Sequence, residues 1–206
     1  MKPSCLNLAL ISAAITGGSS TTAVARQQLS KLSESGKPLN VVFILSDDHR
    51  YDYMGFVGKV PWLETPAMDR MAREGAWIRN AFVTTSLSSP SRASILTGMY
   101  SHSHKVVDNS APMPAGLTFF PEYLQQVGYQ TGFFGKWHMG NDTGDPQPGF
   151  NHWESFSGQG EYYNPRLNVN GKWIRYADST YVTDLLTTHA IEFMKQQQTS
   201  HKPFMV

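Results

Sequence analysis

The segment Asn40-Val41-Val42-Phe43-Ile44-Leu45-Ser46-Asp47-Asp48-His49 sets an unbroken apolar run directly before two carboxylates. A continuous run of strand length suits a strand covered on both faces, as in a parallel sheet flanked by helices, because a half-exposed strand would alternate. The segment therefore predicts an α/β fold. Asp47 and Asp48 would leave the carboxyl end of a central strand, where open α/β sheets place their ligands. Adjacent acids repel each other, so the pair alone reads either as a solvated turn or as ligands of a hard cation.

Working outward, Thr65-Pro66 starts a helix that Gly75 closes, with Met68, Met71 and Ala72 on its apolar side. Residues 80–85 read as a second strand delivering the chain to Ser88-Ser89-Pro90-Ser91-Arg92-Ala93-Ser94-Ile95-Leu96-Thr97-Gly98. In that stretch Pro90 suits the first helical position, Ser89 suits the cap and Gly98 the stop. Ser88 would then sit at the mouth of a helix, where backbone N–H groups favour an anion, with Arg92 on the same face one turn behind. A Ser-rich, Pro-started helix without chemistry would share this pattern.

Residues 121–126 read as a short helix and 129–134 as a strand ending in Gly135-Lys136-Trp137-His138-Met139-Gly140. On an extended end, Lys136 and His138 share one side, giving a fixed cation and a titratable group, with Trp137 as the packing residue between them. His102 and His104 follow the helix that Gly98 stops, as loop residues bordering the pocket, with spacing poorly suited to chelation on a helix face. Beyond Asn141, prolines and glycines mark a long loop, and 167–174 read as a hairpin around Asn170-Gly171. Residues 183–195 form an amphipathic helix in which His189 is a packed residue, and 202–206 begin another buried strand. Trp153, Tyr162, Tyr163, Trp173 and Tyr176 suit either a stacking platform for a sugar ring or ordinary packing.

The Ser88 to Gly98 stretch resembles the serine form of the sulfatase signature. Gly135-Lys136-Trp137-His138 resembles the family's second signature, and the strand ending in Asp47-Asp48 resembles its opening one. The resemblance implies an alkaline-phosphatase-like α/β fold: a mixed, mostly parallel sheet flanked by helices. It implies that Ser88 is oxidised to formylglycine by a maturation enzyme acting on serine. It also implies that Asp47, Asp48 and the converted Ser88 bind calcium, that Arg92 holds the aldehyde hydrate, and that Lys136 and His138 contact the sulfate. His102 is a further candidate for substrate contact. The implied reaction is hydrolysis of a sulfate monoester, with a glycan or aryl sulfate as substrate; the stretch beyond Asn141 most resembles sulfatases of the N-acetylglucosamine-6-sulfatase type. In the family the hydrated aldehyde attacks sulfur and later expels sulfate, and further metal and catalytic residues come from sequence after the region matched here. A phosphatase or phosphonate monoester hydrolase of the same superfamily, and an inactive exported glycan-binding fragment, are the alternatives.

A formal charge of +1 over 206 residues gives no electrostatic bias toward nucleic acid or an anionic membrane. Lys2, the apolar run 6–15 and Ala23-Val24-Ala25 read as a secretory signal over 1–25, too short to insert stably across a bilayer. A polar linker over 26–39 precedes the amino-terminal part of a catalytic domain over 40–206, truncated on its carboxyl side. Cys5, the single cysteine, lies within the signal. The expected location is therefore periplasmic or secreted, in a bacterium, with no disulfide in the mature chain.

Overall fold

A computed structural model describes residues 38–141 and 143–206. The expected signal segment, Cys5 and nearly all of the linker lie outside the described residues. Strands β1 (Gln130–Lys136), β2 (His152–Phe156), β3 (Arg166–Val169), β4 (Lys172–Arg175) and β5 (Phe204–Met205) form one sheet in the order β4-β3-β2-β1-β5. β1 runs parallel to β2 and β5, whereas β2, β3 and β4 pair antiparallel, so the sheet is mixed with its parallel half on the β5 side. The β3–β4 turn is Asn170-Gly171 at φ 51° and 88°, as the Asn-Gly hairpin predicts.

Residues 41–43 extend the parallel half beyond β5. Val41 N–H donates to the Phe204 carbonyl at 2.8 Å, Val206 N–H to Val41 at 2.9 Å, and Phe43 N–H to Val206 at 2.7 Å. The expected direction and neighbours are present; the expected burial is not. Ile44 is 77% exposed, and Val42, Phe43 and Leu45 are exposed as well. Among the described residues only one edge of the segment meets a strand, and its side chains line an open groove. The second expected strand, 80–85, is irregular, and Phe82 is 91% exposed. It has no ladder partner among the described residues, and propensity alone does not make a strand.

The helices are α1 (Pro66–Glu74), α2 (Ser88–Thr97), α3 (Ser101–His104), α4 (Phe120–Gln126) and α5 (Val182–Ser200). α1 starts at Pro66 and closes where Gly75 N–H meets the Met71 carbonyl, yet Met71 is exposed, so only Met68 and Ala72 pack as expected. α2 begins two residues before its proline: Leu87 is the cap and Ser89 is inside the helix. The Ser89 hydroxyl donates to the His138 carbonyl and its N–H to Asn109 Oδ1 at 3.0 Å. Ser89 thus bolts α2 to the end of β1 instead of capping it.

One apolar cluster holds that junction. Ala93 and Leu96 of α2 pack with Val106, Phe119, Trp137, Met139 and Trp153. Trp137 meets Phe119, Phe133 and Trp153 edge-on at 5.4–5.7 Å between ring centroids. A buried Trp removes roughly 150–250 Å² from water, so this core fixes both neighbours of Trp137 in the chain. On the other side of the sheet, buried Glu154 accepts from His152 Nε2 at 2.8 Å and His189 Nδ1 at 2.7 Å, tying α5 to β2. His189 is a packed residue, as expected. No helix among the described residues is long and apolar enough to cross a membrane.

Candidate active site

Lys136 is the last residue of β1, the segment paired beside β5 leads to Asp47, and the loop after β2 carries Gln159. All three leave the carboxyl ends of parallel strands, the edge where such sheets place ligands. α2 sets Ser88 and Arg92 over that edge.

The groups converge on one ammonium. Lys136 Nζ donates to Asp47 Oδ2 at 2.8 Å and Gln159 Oε1 at 2.7 Å, and lies 3.5 Å from Ser88 Oγ. Arg92 Nη1 donates to the Lys136 carbonyl at 2.7 Å and Nη2 to Asp47 Oδ1 at 3.1 Å. The side chains of Lys136 and Arg92 are 10% and 11% exposed, against 44% for Asp47, so the cations are embedded and the acid is at the rim. Arg92 Nε is buried with no acceptor among the described residues. Partial burial pushes the Asp47 carboxyl up, but the Lys136 ammonium and the Arg92 guanidinium outweigh it and hold the carboxyl below its ordinary value.

A cavity of about 660 Å³ opens from this point, with Asp47, Asp48, Arg92, Lys136 and Gln159 at one end and apolar side chains such as Val42, Ile44 and Leu186 along the rest. Asp48 turns at φ 50° and faces this cavity without bonding to the pair of cations.

His138 reaches the site by a route that alternation does not describe. It takes φ 52°, so the extended strand has ended and the i, i+2 rule no longer holds between it and Lys136. Gln159 restores the connection: its Nε2 lies 3.4 Å from His138 Nε2. Sequence reasoning missed Gln159 and marked only the glycines around it. A polar residue held between Gly158 and Gly160, just past a buried strand, was the available signal.

His102 does not join the group. It stacks on Tyr100 at 5.8 Å and is absent from the cavity lining. His104 is fully buried on a helix, not in a border loop: its Nδ1 accepts from Val106 N–H at 3.1 Å and its Nε2 bonds Ser94 Oγ at 2.9 Å. Burial lowers the His104 pKa. The aromatic platform also divides. Trp153 is core, Arg166 covers the Trp173 ring at 4.8 Å, and Tyr163 packs against Tyr181, which leaves Tyr162 as the exposed ring on the cavity.

Residues 39–206 match the family model described as Sulfatase. The chain is 41% identical over 174 residues to N-acetylglucosamine-6-O-sulfatase of Bacteroides thetaiotaomicron, covering 83% of this chain and 30% of that protein. It is 31% identical over 188 residues to N-acetylglucosamine-6-sulfatase of Homo sapiens, covering 81% and 33%. A solved structure of BT4656 with its substrate D-glucosamine-2-N,6-O-disulfate superposes with a TM-score of 0.73 at 41% identity, over 82% of this chain and 33% of that one. The chain spans about a third of the length of the curated relatives it matches. The mixed sheet flanked by helices is that of the alkaline-phosphatase-like sulfatases. With its signature segments meeting at one edge of that sheet, the chain belongs to the sulfatase family.

Proposed function

We propose that this protein hydrolyses sulfate monoesters of a glycan, with a 6-sulfated glucosamine unit as the substrate class, through a formylglycine made from Ser88. The observation that carries the reading is the placement of Lys136 Nζ between Asp47 Oδ2 at 2.8 Å and Ser88 Oγ at 3.5 Å, with Arg92 fixed behind both. Two embedded cations beside a half-buried serine suit an oxyanion, and Asp47, paired with both, offsets only part of their charge. The substrate class is supported by the relatives and by the sugar sulfate bound in the matching structure.

Each residue has a part set by its surroundings. Lys136 binds the sulfate oxygens as charge develops on them. Arg92 donates from each terminal nitrogen to Lys136 and Asp47, and its buried Nε–H, without an acceptor among the described residues, is the donor proposed for an oxygen carried by the Ser88 product. His138 orients that group or moves a proton at its ring nitrogen. The aldehyde, when installed by a maturation enzyme that acts on serine, supplies a hydrated nucleophile that can release sulfate without an external water attacking sulfur.

Asp47 and Asp48 are hard oxygen donors of the kind calcium takes, and in chemistry they fit it. In number they do not complete its shell of roughly six to eight oxygens. Among the described residues no group of three or more His, Cys, Asp or Glu side chains converges. Bound there, the ion would polarise sulfate as a Lewis acid. Export to a bacterial periplasm or exterior follows from the signal-like 1–25, with 26–39 as linker and 40–206 belonging to the catalytic domain.

The tryptic peptide of residues 80–92, taken from protein made in its native host, is the first test. A mass lower by two hydrogens is expected, and an unmodified mass would sink the formylglycine step. Hydrolysis of an aryl sulfate in preference to an aryl phosphate, lost on adding a calcium chelator, is expected as well. The reverse preference would establish a phosphatase, and no turnover of either a binder.

A further inference from the structure

The turn Ser157-Gly158-Gln159-Gly160 follows β2 directly, and Phe156, the last residue of β2, pairs with Lys136 in the parallel register. The turn therefore starts beside Lys136 and folds back over it. Gly160 sits at φ 72°, and a Cβ there would lie 2.6 Å from the Phe156 ring, so the backbone rests directly on that ring. Nothing larger than glycine fits without moving the turn. Gln159 is thus carried by a turn whose height above the strand is fixed.

The carboxamide can face only one way. An ammonium has donors and no acceptor, so Oε1 points at Lys136 Nζ, 2.7 Å away, and Nε2 points at His138 Nε2, 3.4 Å away. Asp47 is the other restraint on the ammonium, but it also neutralises the charge and opposes an incoming anion. A neutral amide restrains the ammonium while leaving its charge for a ligand. The restraint matters because a lysine side chain has many rotamers, and that freedom must otherwise be lost when the anion is gripped.

We infer that Gln159 is a positioning residue, whose carboxamide clamps Lys136 and His138 into a fixed pair and so sets where Lys136 presents its remaining charge to a sulfate group. The inference rests on the reading of Lys136 as the sulfate-binding cation. Gln159 acts through Lys136, so its loss weakens the hold on a bound sulfate modestly and falls chiefly on the step in which charge develops on the sulfate oxygens.

The test compares the intact protein, matured at Ser88, with Gln159→Ala and Gln159→Glu. With an aryl sulfate, Gln159→Ala lowers kcat about 10- to 100-fold, with KM within about threefold and melting temperature unchanged. Gln159→Glu keeps an oxygen on Lys136 but adds a negative charge, so it recovers part of kcat and raises KM. Gln159→Ala with wild-type kcat, or Gln159→Glu with wild-type KM, would overturn the inference. If the wild type itself turns over no sulfate ester, the sulfatase reading fails instead. Protection against heat by inorganic sulfate then decides the clamp: weaker protection in Gln159→Ala than in wild type supports it, and equal protection overturns it.

Discussion

Arg92 Nη1 donates to the backbone carbonyl of Lys136 at 2.7 Å, joining the second turn of α2 to the last residue of β1. The two cations of the site are therefore set relative to each other by a bond that does not involve the charge of Lys136. Arg92→Lys cannot reproduce it, because one ammonium cannot span the Lys136 carbonyl and Asp47 with a planar fork. The expected outcome is a loss of about 10²- to 10³-fold in kcat on an aryl sulfate with native-like circular dichroism. A variant within tenfold of wild type would show that the fork is not needed.

Gly160→Ala forces a Cβ to 2.6 Å from the Phe156 ring at φ 72°. Strain of about 1–3 kcal/mol is expected. Denaturant titration should show a lower midpoint, and kcat should fall with it because the turn carrying Gln159 must lift. Wild-type stability and kcat together would mean that the turn relaxes freely.

Trp153 is 1% exposed, stacks on Phe133 at 4.6 Å and donates from Nε1 to the Gly144 carbonyl at 2.8 Å. Trp153→Ala should cost about 3–5 kcal/mol, as expected for emptying a large core site. Trp153→Phe should cost about 1–3 kcal/mol, chiefly from the unpaired carbonyl. Urea unfolding of both variants checks the order; equal costs would mean that the ring packing contributes nothing beyond the hydrogen bond.

Burial lowers the pKa of His104 in the folded chain below the ordinary imidazole value. As pH falls, the unfolded chain takes up this proton first. The contribution to stability is complete above about pH 6.5 and is lost as pH drops through the unfolded value toward the lower folded one. The melting temperature should fall between about pH 7.5 and about pH 5.5, and fall less in His104→Gln, which has no proton to gain. Identical falls in the two proteins would assign the pH dependence to other groups.

Local chemistry made much of this molecule legible. Asn170-Gly171 gave a hairpin and Gly98 a helix stop because each depends on neighbours in the chain, and the apolar character of 41–45 and Trp137 pointed to a parallel segment and a core residue whose partners lie farther off. Ser89 was misread as a cap, since its hydroxyl is satisfied by the carbonyl of His138, 49 residues away, which no local pattern contains. Residues 80–85 have strand-forming side chains, but a strand needs a partner edge and none is supplied among the described residues.

By itself the sequence determined the kinds of groups available: a serine and an arginine one helical turn apart, a lysine at a strand end, and paired acids after another strand. Only the tertiary structure decided which of them meet. Asp47 and Lys136 stand 89 residues apart in the chain and 2.8 Å apart in space because parallel register aligns the carboxyl ends of their strands. The same register brought in Gln159, which no motif announced, and the packing of His102 on Tyr100 left that histidine out.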